Sequence, residues 1–292
     1  MEPLDRREFI ARSGLTAAAI ALNTSALAAS PSDEELLAHV HPDLREILRA
    51  YLPVIKSTKP LSASTLAAAR QPSALTSKPL STVPYEKRTI PGRAGQPSVD
   101  VFVINAGKVG RRPAILHTHG GGFVVGRALD AVADLQEICR QLDCVAVTVD
   151  YRLAPETTYA GSLEDNYAGL KWLHDNSDQL GVDSARIAVM GESAGGGHAA
   201  LLAIAARDRG EVRLAFQCLT YPMLDDRTGS SRSVPEHVGR IGWTAENNSF
   251  GWQSFLEPDP KVVEQYQHVM IHAVLARDGV INGMDWHCSR GA

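Results

Sequence analysis

The feature that most narrows what this chain can fold into is Gly191-Glu192-Ser193-Ala194-Gly195, set between a buried β-type run, Arg186 to Met190, and a helical stretch, Ala194 to Ala206. A serine on a tight strand-to-helix turn takes strained backbone angles, and small neighbours let the chain turn without a side-chain clash. Such a turn lifts the hydroxyl above the carboxyl end of a sheet, with a helix N-terminus behind it that favours developing negative charge. On the five residues alone an ordinary Gly/Ser helix cap remains an open alternative.

The surrounding pattern places that turn in an α/β architecture. Val83 to Ile90 and Val99 to Asn105 alternate polar and apolar residues around the Pro91-Gly92 break, as an antiparallel pair does. Ala114 to Leu116, Cys144 to Val149, Arg186 to Met190 and Leu214 to Leu219 are continuous apolar runs of the buried strand type. Helical stretches at 129–142, 163–179 and 194–206 alternate with them. The expectation is a central, mostly parallel sheet with helices on both faces. Upstream, Leu36, Leu37, Val40, Leu44, Ile47, Leu48 and Tyr51 recur at three- and four-residue steps and predict one amphipathic helix over 33–51, capped by Ser32 or Asp33. The Ser/Pro/Ala-rich stretch from Ser57 to Ser81 reads as a loop with at most one short helix.

A second glycine cluster narrows the chemistry. His117-Thr118-His119-Gly120-Gly121-Gly122-Phe123 leaves a strand and precedes a helix. Three ordered glycines cost backbone entropy, so they imply a place where bare N–H groups must approach a ligand atom. A phosphate cradle is the rival, but no Lys-Ser/Thr pair follows the glycines, which excludes a P-loop. The third segment, Asp150-Tyr151-Arg152-Leu153-Ala154-Pro155-Glu156, reads as a charge-balanced turn with an internal Asp–Arg–Glu network.

Charge and cysteine usage exclude other classes. With 29 Lys+Arg against 33 Asp+Glu the net charge is −4, and no basic block tracks a phosphate backbone, so nucleic acid is not an expected partner. Cys139, Cys144, Cys218 and Cys288 show no zinc or redox spacing and read as small buried hydrophobes, with a Cys139–Cys144 bridge open if the chain is exported. No metal and no organic cofactor is expected.

Export is the reading of residues 1–28: Arg6-Arg7 gives a twin-arginine pattern, Leu15 to Leu22 a short apolar run, and Ala26-Leu27-Ala28 a small-residue cleavage site. The run is too short to span a bilayer, and a cytoplasmic amphipathic helix is the alternative.

Taken together, His119-Gly120-Gly121-Gly122, Asp150 to Glu156, Gly191 to Gly196, Tyr221-Pro222, Gly242-Trp243-Thr244 and Phe250-Gly251-Trp252 resemble the hormone-sensitive-lipase-like esterases of the α/β-hydrolase fold, over residues 35 to 276. The resemblance implies Ser193 as nucleophile and the N–H groups of Gly121, Gly122 and Ala194 as an oxyanion hole. It also implies that His119, beside Gly120, braces the glycine loop rather than moving protons. It implies N-terminal cap helices with a linker over 29–81, a hydrolase domain over 82–276, and small esters of short to medium acyl chains as substrates. An inactive hydrolase-fold chain that at most binds small apolar ligands, and a hydrolase of lactones or carbamates, are the alternatives.

The match departs in its last part. A serine nucleophile needs a histidine oriented by a carboxylate. The order in this fold is Ser, acid, base, with the acid on the order of a hundred residues after the serine. Only 99 residues follow Ser193, and neither an Asp-Pro-Leu-like nor a His-Gly-Phe-like segment is among them. Triad acid and base are therefore unassigned. His198, His237, His268 and His272 do not fit the order, and Asp278, Asp285 and His287 stand in an atypical tail, 277–292. The expectation is a hydrolase domain cut short or read in a shifted frame from about 267–277.

Overall fold

The computed structural model describes residues 32–256 apart from 73–76, 94, 108–109 and 236. The segments read as signal and atypical tail lie outside the described residues. The described residues up to Ile55 and those from Lys56 onward form two compact units.

In the first unit, helix α1, Asp33–Ala38, starts on a capping box in which the Ser32 hydroxyl accepts from Glu35 N and the Glu35 carboxylate accepts from Ser32 N. The single helix expected over 33–51 is broken. The chain leaves α1 at His39 and restarts as α2, Pro42–Ser57, because Pro42 has no N–H to continue a helix but fits the first turn of a new one. Leu44, Ile47, Tyr51 and Val54 form an exposed apolar stripe on α2.

The second unit opens with the short helix α3, Leu66–Ala69, and builds one six-stranded sheet. The strands are β1 Tyr85–Ile90, β2 Val99–Ile104, β3 Arg112–Thr118, β4 Val145–Asp150, β5 Val182–Glu192 and β6 Phe216–Thr220, in the order β1-β2-β4-β3-β5-β6. β1, β2 and β4 pair antiparallel, whereas β4, β3, β5 and β6 are parallel. The run 144–149 is thus parallel to one neighbour only. A 3₁₀ turn, Ala128–Ala131, leads into α4, Val132–Leu142; α5 is Tyr159–Asp175, α6 Ser177–Leu180, α7 Ala194–Arg209 and α8 Ala245–Phe255.

Strand alternation sorts the core onto two faces. Val101, Val103, Leu116, Val147, Val149, Ile187 and Val189 pack with Leu170 and Leu173 of α5 and Ala199 and Leu202 of α7. Phe102, Ile104, Ile115 and Ala146 pack with Val132, Leu135 and Cys139 of α4. Helices therefore cover both faces, and all the parallel strands end at the same edge. Cys139 and Cys144 are buried thiols with Sγ atoms 3.9 Å apart, so the bridge left open by the sequence is not formed.

The polar turn 150–156 does not form the internal network expected of it. Each charge leaves for a different element: Asp150 accepts from Ala128 N, Arg152 grips buried Asp165 of α5 through Nε and Nη2 at 2.8 Å each, and Glu156 pairs with Arg70 at 2.6 Å. Arg70 also donates to Val124 O and Ala154 O, both at 2.8 Å, tying the α3 segment to this edge. Helix α8 was not anticipated as a helix. Its signal was Thr244, whose hydroxyl caps Asn247 N.

Candidate active site

Ser193 sits between β5 and α7 with φ 54° and ψ −121°, a conformation that L-residues seldom adopt. It occupies the N-cap position, yet its side chain makes no capping bond, so the ordinary-cap reading does not account for it. Its backbone is fully committed: the N–H donates to Thr220 O at 3.0 Å, and its carbonyl accepts from Gly197 N at 3.1 Å and Met223 N at 2.9 Å.

The flanking glycines are required by space. A Cβ on Gly191 would lie 2.3 Å from Gly195 O, and one on Gly195 only 2.0 Å from Thr118 O. The Thr118 hydroxyl donates to Gly195 O at 2.7 Å, closing the contact between β3 and the first turn of α7.

The glycine loop after β3 carries three successive positive φ values, 122° at Gly121, 58° at Gly122 and 69° at Phe123. Phe123 is held in that strained state by its packing: its ring stacks on Phe255 at 3.9 Å and lies against Trp252 and His198. Gly122 is roofed by the Trp243 ring, 2.0 Å from where its Cβ would be, and a Cβ on Gly251 would meet Gly122 O at 2.6 Å. The Trp243 indole N–H donates to Asn248 Oδ1, and the Asn248 amide donates to Thr228 O. The two segments 242–244 and 250–252 thus converge on the loop. Among the described residues the N–H groups of Gly121, Gly122 and Ala194 donate no hydrogen bond, so donors remain free on both the loop and the start of α7.

His119 is buried, stacks on Tyr151 at 4.2 Å, and donates from Nδ1 to Gly120 O at 2.8 Å, leaving Nε2 without a partner. Tyr151 in turn donates to His119 O at 2.7 Å. His198 is enclosed by Phe123, Tyr151 and Phe255, with neither ring nitrogen hydrogen-bonded. Burial pushes the pKa of both histidines down, that of His198 to about 3 with His119 contributing. Above about pH 6.5 both folded and unfolded forms are neutral at these sites; below it the unfolded chain takes up protons that the folded one refuses. Stability is therefore expected to fall as pH drops below about 6.5, by up to about 1.4 kcal/mol per unit for His198 down to about pH 3, with His119 acting in the same direction. Urea midpoints at pH 7 and pH 5 measure this, and a His198→Phe chain should show a smaller difference between them than wild type.

Sequence reasoning missed Glu192. Its Oε1 accepts from Gly120 N at 2.7 Å and its Oε2 meets His117 Nε2 at 2.9 Å, while His117 Nδ1 meets Thr148 Oγ1 at 2.9 Å. Burial raises the Glu192 pKa, but the His117 hydrogen bond and charge and the Gly120 N–H together outweigh it and bring it below the usual carboxylate range. The signal was His117 itself, a polar residue inside a buried apolar strand, which needs a partner. A cavity of about 510 Å³ opens beside His117, His119, Gly121, Glu192 and Tyr221.

Among the described residues no triad acid or base is assembled at Ser193. Among the described residues no histidine hydrogen-bonds Ser193, His198 and His119 are occupied in packing, and His237 is exposed. His268, His272, Asp278, Asp285 and His287 lie outside the described residues. Among the described residues no group of three or more His, Cys, Asp or Glu side chains is placed to hold a metal, and no helix is long and apolar enough to cross a membrane.

Comparison with known proteins agrees with this geometry. Residues 115–284 match the model of a family described as having the alpha/beta hydrolase fold. Esterase LipI of Mycobacterium tuberculosis is 45% identical over 117 residues, 38% of this chain and 34% of LipI; carboxylesterase NlhH of the same organism is 44% identical over 112 residues, again 38% and 34%. The matched stretch thus spans about a third of the length of these relatives. Among solved structures, the hyperthermophilic esterase of Pyrobaculum calidifontis superposes with a TM-score of 0.62 at 32% identity, covering 78% of this chain and 74% of that one. A bacterial heroin esterase gives 0.57 at 33% identity, covering 77% and 68%. The serine on its strained turn, the glycine loop tied to the adjoining Glu192 and these matches agree: the chain belongs to the hormone-sensitive-lipase-like branch of the α/β-hydrolase-fold family.

Proposed function

We propose that this protein hydrolyses carboxylic esters of short to medium acyl chains, with Ser193 forming the acyl-enzyme and the N–H groups of Gly121, Gly122 and Ala194 stabilising the oxyanion. The observation that carries the proposal is the pairing of an uncapped serine at φ 54° with a glycine loop in which the Gly121 and Gly122 N–H groups donate no hydrogen bond. Free, preoriented donors facing a nucleophile favour the transition state because they need no reorganisation when charge develops. The names of the relatives, esterase and carboxylesterase, support the substrate class. A fluorophosphonate probe, which labels activated serines, should add one phosphonyl group to the Ser193 peptide and stop hydrolysis of p-nitrophenyl butyrate. Labelling elsewhere, or none with hydrolysis absent, overturns the proposal.

A second reading, binding of small apolar ligands without turnover, is favoured by the lack of a histidine hydrogen-bonded to Ser193 among the described residues. The same probe separates the two, since binding alone leaves Ser193 unlabelled. We also infer export through the twin-arginine segment of residues 1–28. A fusion of that segment to a reporter protein should reach the periplasm, and Arg6→Lys with Arg7→Lys should retain it in the cytoplasm.

A further inference from the structure

We infer that Glu192 is a positioning residue, whose side chain holds the glycine loop in register with the Ser193 turn; the inference rests on the ester-hydrolase reading above. β3 and β5 run parallel, and their pairing extends as far as Thr118 opposite Gly191. Past that point both chains leave extended geometry, Ser193 at φ 54° and Gly121 at φ 122°. The side chain of Glu192 carries the connection one residue further, to Gly120 N at 2.7 Å. Glu192 is covalently next to the nucleophile and Gly120 next to the first free loop donor, so this one bond sets the separation of the two.

The chemistry of the partners fixes the direction of the two protons that reach Glu192. An ionised carboxylate only accepts, so His117 Nε2 must carry a hydrogen; in the neutral ring Nδ1 then accepts from the Thr148 hydroxyl. The Thr148 O–H, the His117 Nε2–H and the Gly120 N–H form a chain of donors that ends on one carboxylate. His117 and Thr148 are buried among strand residues, so neither can turn to water for a substitute. Charge-assisted bonds of this kind are shorter and stronger than neutral ones, which suits a joint that must not drift. Gly120 lies close against the end of β5, since a Cβ there would stand 3.1 Å from Glu192 O.

A residue that merely supports the fold would lower stability without a preference for the transition state. A residue that positions the oxyanion donors lowers kcat and leaves KM nearly as it was, because those donors matter most once charge has developed. Glu192→Ala is expected to lower kcat for p-nitrophenyl butyrate by about 10- to 100-fold with KM within about threefold. Glu192→Gln keeps an oxygen acceptor for Gly120 and offers an N–H to His117, which must then move its own proton to Nδ1. This variant is expected to recover kcat to within about fivefold of wild type and to show the tautomer change in the imidazole ¹⁵N spectrum. The Gly120 amide should exchange with solvent faster in Glu192→Ala than in wild type, and the core of β3 at an unchanged rate.

Unchanged kcat in Glu192→Ala overturns the inference, as does a loss confined to KM. A Gln variant as slow as the Ala variant with no tautomer change overturns the assignment of donors. If the wild-type chain hydrolyses no ester, the ester-hydrolase reading fails by itself. Gly120 exchange then decides the clamp: faster in Glu192→Ala supports it, unchanged overturns it.

Discussion

Ser193→Ala is expected to cut kcat for p-nitrophenyl butyrate by about 10⁴-fold or more while the protein melts within about 2 °C of wild type. The size follows from the nature of the step. Without the hydroxyl no acyl-enzyme forms, and what remains is attack by water on an ester held by the loop N–H groups. The unchanged stability follows from the local structure. The serine side chain makes no capping bond, and the bonds that fix residue 193 run through its backbone to Thr220, Gly197 and Met223. Alanine keeps the Cβ and hence the same strain at φ 54°. Equal rates for the two chains, at equal melting temperature, would place the hydrolysis at another residue.

Gly195→Ala is expected to act in the opposite sense, on folding first. The new methyl would stand 2.0 Å from Thr118 O and 2.7 Å from both the carbon and the oxygen of the His119 carbonyl, all main-chain atoms of the β3 end. Main chain held in a sheet cannot swing aside as a flexible side chain can. To admit the methyl, α7 must lift from the sheet, breaking the Thr118 bond to Gly195 O and drawing Ala199 and Leu202 out of the core. A cost above about 3 kcal/mol is expected, as for severe overpacking, or roughly 6–12 °C in melting temperature for a domain of this size. Gly210→Ala is the control: it has a positive φ of 67° but nothing within 4 Å of the added Cβ, so its effect is limited to local backbone strain. A Gly195→Ala chain that melts with the wild type would mean that α7 does not sit on β3 as closely as described.

The strand segments and the serine turn were legible because they rest on short-range signals. Apolar runs such as Val145 to Val149 can only be buried, and Gly-x-Ser-x-Gly between a strand and a helix leaves few conformations open. The helix break at residues 39–41 was also written locally, in Pro42, but apolar spacing across it outweighed one residue. What could not be read were pairings set by tertiary geometry. Nothing near Arg152 in the chain shows that it grips Asp165 rather than Asp150, or that Glu156 meets Arg70, more than eighty residues upstream. Glu192 was hidden for the same reason, its partners Gly120 and His117 being more than seventy residues away.

The indole of Trp243 lies against Gly122, with the Asn248 side chain fixing its orientation. This contact gives the loop a built-in optical reporter. A ligand that settles onto the Gly122 N–H changes the polarity and the freedom of the ring beside it, and tryptophan emission responds to both. Occupancy of the site can then be followed in unlabelled protein, as a shift in emission that a Trp243→Phe chain lacks.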